Sequence, residues 1–265
     1  EARVGLSAGA SSGLPVTFSV AAGPGTIGGG TNLSFTGAGT VSVVAAQAGD
    51  ADWLPTVATN DLLVSKVAGT LTLGDLEQAY DGTARAASAT TEPAGLAVAF
   101  TYDGNAWAPT NAGRYAVTGA LDDPFYAGTA TGTLVVAKTD QTVAFPEVPP
   151  RRIDAVVALE ATASSGLTTL EYAVVSGPGA LAGANLTFVG AGDVLVAARQ
   201  AGDDNWNPAP PATNVVKGFA VTPTGGPLAG GNEVLIENGL IGDGTNVASV
   251  ALCGVPATIL AQGTN

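Results

Sequence analysis

Two stretches of nearly identical sequence, QAGDADWLP at residues 47–55 and QAGDDNWNP at residues 200–208, decide how this chain is organised. The similarity extends outward from both copies. The recurring pieces are SSGL at 11–14 and 164–167, NLSF at 32–35 with NLTF at 185–188, and GAG at 37–39 and 190–192. Recurrence of a long pattern at an almost constant offset indicates tandem modules of one structural type.

Apolar residues alternate with polar ones in short runs on both sides of these stretches. VTFSV at 16–20, LEYAV at 170–174 and TVSVVA at 40–45 each place apolar side chains on one face. Glycine and proline clusters lie between such runs, where they can turn the chain. The period of two and the short spacing predict an all-β protein built of antiparallel β-sandwiches, each sheet with one buried and one solvated face.

Composition excludes several classes of function. The chain has 265 residues, 9 basic and 22 acidic, and a net charge of −13. Nucleic-acid binding requires a basic surface, so we expect no nucleic-acid partner. No apolar run reaches about 18 residues, the length that a membrane-spanning helix needs, so we expect no membrane insertion. A strongly acidic surface suits a protein that stays soluble outside the cell.

The segment between the two repeats has motifs of its own. They are YDGT at 80–83, TYDGN at 101–105 and NAGRYAV at 111–117. Residues 67–138 resemble the MBG-type β-sandwich module of bacterial surface proteins. Residues 1–66 and 139–217 resemble the bacterial Ig-like modules that alternate with it. The resemblance implies structural roles for Tyr115 and for the two tryptophans Trp53 and Trp206, whose rings we expect to be buried against the strands of each repeat.

The last segment, 218–265, resembles the first half of an IPT/TIG Ig-like domain, through the text GGNEVLIENGL at 230–240 and CGVPATI at 253–259. We therefore expect a linear array of Ig-like sandwich modules, the first and last incomplete. The first module lacks a counterpart of DQTVAFP at 140–146, which opens the second repeat. Either preceding residues of the same polypeptide or a strand from an identical chain would fill that place, as in strand addition.

The sequence holds little that could support catalysis. There is no histidine, which excludes a Ser-His-Asp triad and a Cys-His pair and removes the usual zinc ligands. We expect no enzyme activity and no cofactor. Paired carboxylates in turns are candidate Ca²⁺ ligands because Ca²⁺ takes six to eight oxygen atoms, with Asx-type turns as the alternative. The candidates are Asp50, Asp52, Asp203 and Asp204, with Asp122 and Asp123 as weaker ones.

Two other groups of residues allow a modification. Asn32 and Asn185 begin N-L-S and N-L-T at equivalent positions, which fits either a glycan acceptor or a turn that enters a strand. Three lysines, Lys66, Lys138 and Lys217, each close a module, and they could form isopeptide cross-links or discourage edge pairing. The single cysteine, Cys253, lies in an apolar run and is expected to be buried.

These observations favour a non-catalytic structural segment of a long extracellular bacterial surface protein: a stalk, an adhesin shaft or a filament subunit. Its partners would be neighbouring modules of the same or of identical chains, with a homopolymer as one outcome. One alternative is an adhesion module that binds a surface glycan or glycoprotein, with Trp107 as the candidate ligand-binding residue. The other is a set of accessory modules of a large secreted enzyme.

Overall fold

The computed structural model describes residues 3–222, 235–237, 250–252 and 255–257. The chain divides into two compact units, Glu1–Ala137 and Lys138–Asn265. The described residues form strands, turns and bends. They contain no helix, and therefore no helix that could cross a membrane. The predicted all-β class and its antiparallel sandwich sheets are confirmed.

Residues 3–64, called the first repeat from here on, fold into two three-stranded antiparallel sheets. The strands are β1 (Arg3–Gly5), β2 (Thr17–Ala22), β3 (Gly25–Gly28), β4 (Asn32–Phe35), β5 (Gly39–Gln47) and β6 (Thr56–Val64). One sheet has the order β1-β4-β3 and the other β2-β5-β6. The inward positions of β5 include Val41 and Val43, so the alternation in the sequence becomes the buried face of a sandwich.

Residues 67–137, the central module, carry eight described strands. They are β7 (Val67–Ala68), β8 (Thr70–Gly74), β9 (Glu77–Ala79), β10 (Ser88–Glu92), β11 (Val98–Tyr102), β12 (Gly113–Leu121), β13 (Tyr126–Ala127) and β14 (Thr129–Ala137). The main sheet has the order β11-β12-β14-β9, and β8 pairs with β10. The pairs β9–β14 and β7–β13 are parallel. These two short pairs are the exceptions to the antiparallel pairing described in this module.

Residues 139–222, the second repeat, reproduce the sheets of the first and add strands ahead of them. The strands are β15 (Val143–Ala144), β16 (Arg151–Arg152), β17 (Val156–Ala158), β18 (Thr162–Ala163), β19 (Glu171–Ser176), β20 (Gly179–Ala182), β21 (Asn185–Phe188), β22 (Gly192–Arg199) and β23 (Ala212–Thr222). One sheet has the order β17-β21-β20 and the other contains β23-β22-β19, with β16 added beside β23.

The predicted boundary after Lys217 falls inside a strand. β23 continues through Lys217 to Thr222, and Gly218 and Phe219 pair with β16. The backbone pairing of this strand is not interrupted at the lysine. Beyond it the structure describes β24 (Leu235–Glu237), β25 (Val250–Leu252) and β26 (Val255–Ala257). Cys253 and most of the expected IPT/TIG segment lie outside the described residues.

Each of the three modules has its own apolar core. The core of the first repeat centres on Leu33, Val41 and Val43. The core of the central module centres on Ala87, Tyr102, Val117, Leu134 and Val136. The core of the second repeat centres on Val157, Leu159, Leu186, Val194, Val196 and Val216. Equivalent positions of the two repeats therefore fill the same places, although the second repeat has more fully buried members.

Candidate functional site

An open cleft lies on the central module, between β11 and β12. It has a volume of about 360 Å³. Its lining residues are Tyr102, Asp103, Asn105, Trp107, Ala108, Pro109, Thr110, Asn111 and Tyr115. Trp107 is 84% exposed, which places a large aromatic face in solvent at the edge of a concave surface.

A tight turn fixes one wall of this cleft. Asp103 and Gly104 both have positive φ, 47° and 81°, as a type I′ hairpin turn requires, and the Asp-Gly dipeptide is a favoured sequence for that turn. Tyr102 and Asn105 exchange backbone hydrogen bonds of 2.7 and 2.9 Å across it. The Asp103 carboxylate accepts a hydrogen bond of 2.8 Å from the backbone N–H of Ala116. The carboxylate is therefore held at the cleft by the neighbouring strand.

Two tyrosines anchor the rest of the cleft. Tyr102 is 4% exposed, and its hydroxyl accepts a 2.9 Å hydrogen bond from the backbone N–H of Ala87. The hydroxyl of Tyr115 donates a 2.9 Å hydrogen bond to the carbonyl of Asn111, which ties the loop before β12 to that strand. Tyr115 thus holds the loop, and the exposed Trp107 sits between two fixed supports.

The chemistry of the cleft suits binding. Its lining offers one carboxylate, Asp103, together with amide, hydroxyl and aromatic groups. An indole face can stack on an apolar surface while the polar groups beside it make hydrogen bonds. A glycosidase would need two carboxylates that face each other, and this lining contains only one.

Outside the cleft, one carboxyl group of the central module has a perturbed acidity. The hydroxyl of Thr83 donates a 2.6 Å hydrogen bond to Asp81 and the Thr83 backbone N–H donates another of 2.9 Å. These two hydrogen bonds, followed by the charge of Arg85, hold the pKa of the Asp81 carboxyl below its ordinary value. The group belongs to the YDGT turn and stabilises it.

The acidic turns of the two repeats are Asx-type turns. Asp50 Oδ1 accepts hydrogen bonds of 2.9 Å from the backbone N–H groups of Asp52 and Trp53. Asp203 Oδ1 accepts hydrogen bonds of 2.8 Å from those of Asn205 and Trp206. The side chains of Asp52 and Asp204 are exposed. The sequence left two interpretations of these turns open, Ca²⁺ ligands and Asx-type turns, and the hydrogen bonds have the geometry of Asx-type turns.

A third turn of the same kind lies in the central module. Asp123 Oδ1 accepts hydrogen bonds of 2.7 Å from the N–H of Phe125 and 3.0 Å from that of Tyr126. In the sequence, Asp122 and Asp123 were weaker Ca²⁺ candidates than the acidic pairs of the repeats. In the structure Asp123 holds the same relation to the residues that follow it as Asp50 and Asp203 do.

Glycine explains why QAGD recurs in the repeats. Gly49 and Gly202 have φ of 79° and 77°, a left-handed conformation that disfavours other residues. A Cβ atom added at either position would collide with the carbonyl of the tryptophan four residues later, Trp53 or Trp206. The two nine-residue stretches are therefore alike because both build one compact loop.

The burial predicted for the repeat tryptophans is wrong for Trp53, which is 50% exposed. Trp206 is partly buried, and the segment that opens the second repeat pairs with it, through an isolated bridge between Thr139 and Trp206. The two rings therefore do not occupy equivalent environments. The difference arises in the segment that begins at Thr139, which has no counterpart in the sequence of residues 1–66.

The other candidate residues occupy exposed or backbone-directed positions. Asn32 and Asn185 are exposed first residues of β4 and β21, so both are accessible and both also enter a strand. Lys66 donates a 2.8 Å hydrogen bond to the carbonyl of Asp123, and Lys138 donates one of 2.6 Å to the carbonyl of Asp203. The partners of these two lysines are backbone carbonyls, whereas an isopeptide bond needs a side-chain carboxyl or amide.

Sequence reasoning missed a buried glutamine pair in the second repeat. Gln141 and Gln200 are 2% and 4% exposed, and Gln141 Nε2 donates hydrogen bonds of 2.5 Å to Gln200 Oε1 and 2.8 Å to the carbonyl of Asn207. Ser165 donates a 2.5 Å hydrogen bond to Gln141 Oε1. The signal available in the sequence was the recurrence of glutamine at the start of both QAGD stretches.

Comparison with known proteins identifies one segment. Residues 69–140 match the model of the MBG domain, which confirms the resemblance of the central module. No curated protein matches the chain. The Ig-like identity of the flanking repeats and the IPT/TIG identity of the last segment stay predictions.

Likenesses to solved structures are weak. The crystal structure of Drosophila N-cadherin EC1-4 is similar with a TM-score of 0.29 and 13% identity, over 77% of this chain and 66% of that one. An endo-fucoidan hydrolase of glycoside hydrolase family 107 is similar with a TM-score of 0.21 and 14% identity, over 83% and 39%. The chain spans less than two thirds of the length of either structure, and at these scores neither likeness bears on activity.

Proposed function

We propose that the chain is a non-catalytic structural segment of a long extracellular surface protein of bacteria, in which β-sandwich modules follow one another to form a shaft. The MBG domain in residues 69–140 supports this proposal, because the module resembles those of bacterial surface proteins. The net charge of −13 and the tandem repetition of modules also suit a protein exposed to solvent.

One observation carries the proposal, namely how the first repeat joins the central module within residues 1–137. Only Ser65 and Lys66 separate β6 from β7. The backbone N–H of Ala38 donates a 2.9 Å hydrogen bond to the carbonyl of Pro124, and Lys66 donates one to the carbonyl of Asp123. A two-residue link supported by these contacts favours a stiff junction over a flexible linker.

NMR relaxation of backbone amides tests this role. In the unmodified chain, the first repeat and the central module should have one common rotational diffusion tensor. Lys66→Ala should loosen the junction and give the two modules separate correlation times, while Lys217→Ala, at an exposed position in the second unit, serves as the control. Independent tumbling of the two modules in the unmodified chain would refute a shaft.

The cleft beside Trp107 favours a second function, the binding of a surface glycan. An exposed indole next to fixed carboxylate and amide groups is a suitable platform for a sugar ring. Glycan-array binding that is lost in Trp107→Ala, and kept in a Trp53→Ala control, would support this function. Release of reducing ends from a polysaccharide panel by the chain alone would refute a non-catalytic role.

A further inference from the structure

The junction contacts follow one geometry in two places. In the first place, Lys66 Nζ donates to the carbonyl of Asp123, and the N–H of the next residue, Val67, donates a 2.7 Å hydrogen bond to the carbonyl of Phe125. Val67 then pairs in parallel with Tyr126. The receiving loop is the Asx-type turn of Asp123, and the pairing begins at the aromatic residue three positions after the aspartate.

The second place has the same contacts on a loop of different sequence. Lys138 Nζ donates to the carbonyl of Asp203, and the N–H of Thr139 donates a 3.0 Å hydrogen bond to the carbonyl of Asn205. Thr139 then makes a parallel bridge with Trp206. Lysine, aspartate and aromatic residue therefore take the same relative positions in the central module and in the second repeat.

The segments that begin at the two lysines share a sequence pattern. They are KVAGTLTL at 66–73 and KTDQTVAF at 138–145. Each has lysine first, threonine fifth, a branched aliphatic residue sixth and a large apolar residue eighth. The eighth residues, Leu73 and Phe145, pack against the cores of their modules. The lysine thus docks on the loop while the eighth residue enters the sandwich.

The first repeat has the turn and the groove to which such a lysine-led segment would bind. Its loop contains the Asx-type turn of Asp50, with Trp53 three positions later. Beside β2, β5 and β6 runs a groove of about 220 Å³. This groove, called the first-repeat groove, is lined by Leu6, Ser7, Ala8, Phe18, Val43, Ala45, Ala58, Thr59, Asn60 and Leu62.

The same place is filled in the second repeat. Tyr172, the counterpart of Phe18, meets Phe145 edge to face with ring centroids 5.8 Å apart. Asn214, the counterpart of Asn60, donates a hydrogen bond to the carbonyl of Pro146. The segment that begins at Lys138 therefore lies on the second repeat at the place that corresponds to the groove of the first repeat.

Burial at equivalent core positions agrees with this comparison. Val157, Leu159 and Val216 of the second repeat are 4%, 4% and 0% exposed. Their counterparts in the first repeat are only partly buried, and these are Val4, Leu6 and Leu62. Positions remote from the groove, such as Leu33 and Leu186, are fully buried in both. At these core positions, the repeats thus differ on the side on which the incoming segment lies.

We propose that the first-repeat groove is a docking site for an extended segment of the pattern Lys-x-x-x-Thr-(Val/Leu)-x-(Phe/Leu), carried in the same polypeptide ahead of residue 1. Its lysine docks on the carbonyl of Asp50, its backbone pairs with Trp53, and its eighth residue fills the groove beside Phe18. This docking goes beyond the proposed function, because it does not depend on where the protein is located or on whether it forms a shaft.

The connection in both occupied modules favours a segment of the same chain. Each occupant is the first segment, in sequence, of the module that receives it. In the second repeat the segment leads to Asp154, with which Glu1 aligns. A tethered segment acts at an effective concentration of about millimolar, so a segment joined ahead of residue 1 competes well with one from a second molecule.

The test joins a donor segment to the full chain. Residues 138–153 are copied ahead of Glu1, which reproduces the connection of the second repeat. The matched control carries V143D and F145D in the copied segment alone, so the host chain is unchanged. Hydrogen exchange of β6, emission of Trp53 in a W107F/W206F background, and mass by light scattering are measured for the unmodified chain, the fusion and the control.

We expect amide exchange in β6 to slow at least tenfold in the fusion and Trp53 emission to shift to the blue, with neither change in the control. If the fusion behaves like the control, the groove does not accept this pattern. If the unmodified chain already has the same protection as a monomer, the groove needs no occupant. If that protection rises with concentration together with the mass, a second copy is the occupant. Each of these three results overturns the proposal.

Discussion

The unequal burial of the two repeats predicts unequal costs for matched core truncations. Val216 is fully buried in the second repeat, and Val→Ala removes two carbon atoms. At about 0.8 kcal/mol per buried CH₂, with a further cost for the cavity, Val216→Ala should cost about 2–3 kcal/mol. Leu62→Ala removes three carbon atoms, but Leu62 borders the first-repeat groove, so it should cost only about 1 kcal/mol. The larger truncation thus has the smaller effect.

The chain offers a convenient assay, because the three tryptophans at 53, 107 and 206 lie one in each described module. In a W53F/W107F background, urea unfolding followed by fluorescence reports the second repeat. In a W107F/W206F background it reports the first. Each truncation is compared with its own parent at equal denaturant slope, so that a change in midpoint is a change in stability. A Leu62→Ala cost equal to or above that of Val216→Ala would refute the reasoning.

Three further outcomes are expected. Because hydrogen bonds from Thr83 lower the pKa of Asp81, its carboxylate stabilises the fold above the unfolded pKa of about 3.8 and loses that effect as the pH falls through the lower folded value. Asp81→Asn should therefore destabilise the central module at pH 7 and match the parent in acid, as thermal melts across pH would show. Asp203→Ala should destabilise the second repeat by about 1–2 kcal/mol, and calorimetry of the parent should detect no Ca²⁺ binding tighter than about millimolar. Tyr102→Phe leaves the buried N–H of Ala87 without its acceptor and should cost about 1–3 kcal/mol in urea unfolding.

Much of the fold follows from local patterns in the sequence. The alternation in 40–45 and the turn residues around it predict a strand with one buried face, and β5 has that form, with Val41 and Val43 inside. The Asp-Gly pair at 103–104 is a favoured sequence for a tight hairpin turn, and its positive φ values have that form. These features depend on neighbours in sequence, so a single sequence is enough to recognise them.

Other features depend on contacts between distant residues. Trp53 and Trp206 lie in nearly the same nine residues, yet only Trp206 pairs with a segment some 67 positions earlier in the chain. The glutamine pair similarly joins residues 59 positions apart. Local sequence cannot reveal whether another segment will pack on a loop, because that segment lies far away in the sequence. For this reason the tryptophans were expected to be alike and are not.

The acidic turns connect modules whose sequences otherwise differ. DADW at 50–53, DPFY at 123–126 and DDNW at 203–206 share only an aspartate and an aromatic residue three positions later. At each occupied turn the carbonyls of the aspartate and of the residue two positions later accept hydrogen bonds from the lysine side chain and from the next backbone N–H. A lysine followed by an extended strand can bind those carbonyls without regard to the side chains between. Recognition through the backbone needs few specific residues, which explains how an MBG domain and a repeat can receive a lysine-led segment in one way. Substituting the lysine should therefore weaken the contact with the turn while leaving the core of the receiving module intact.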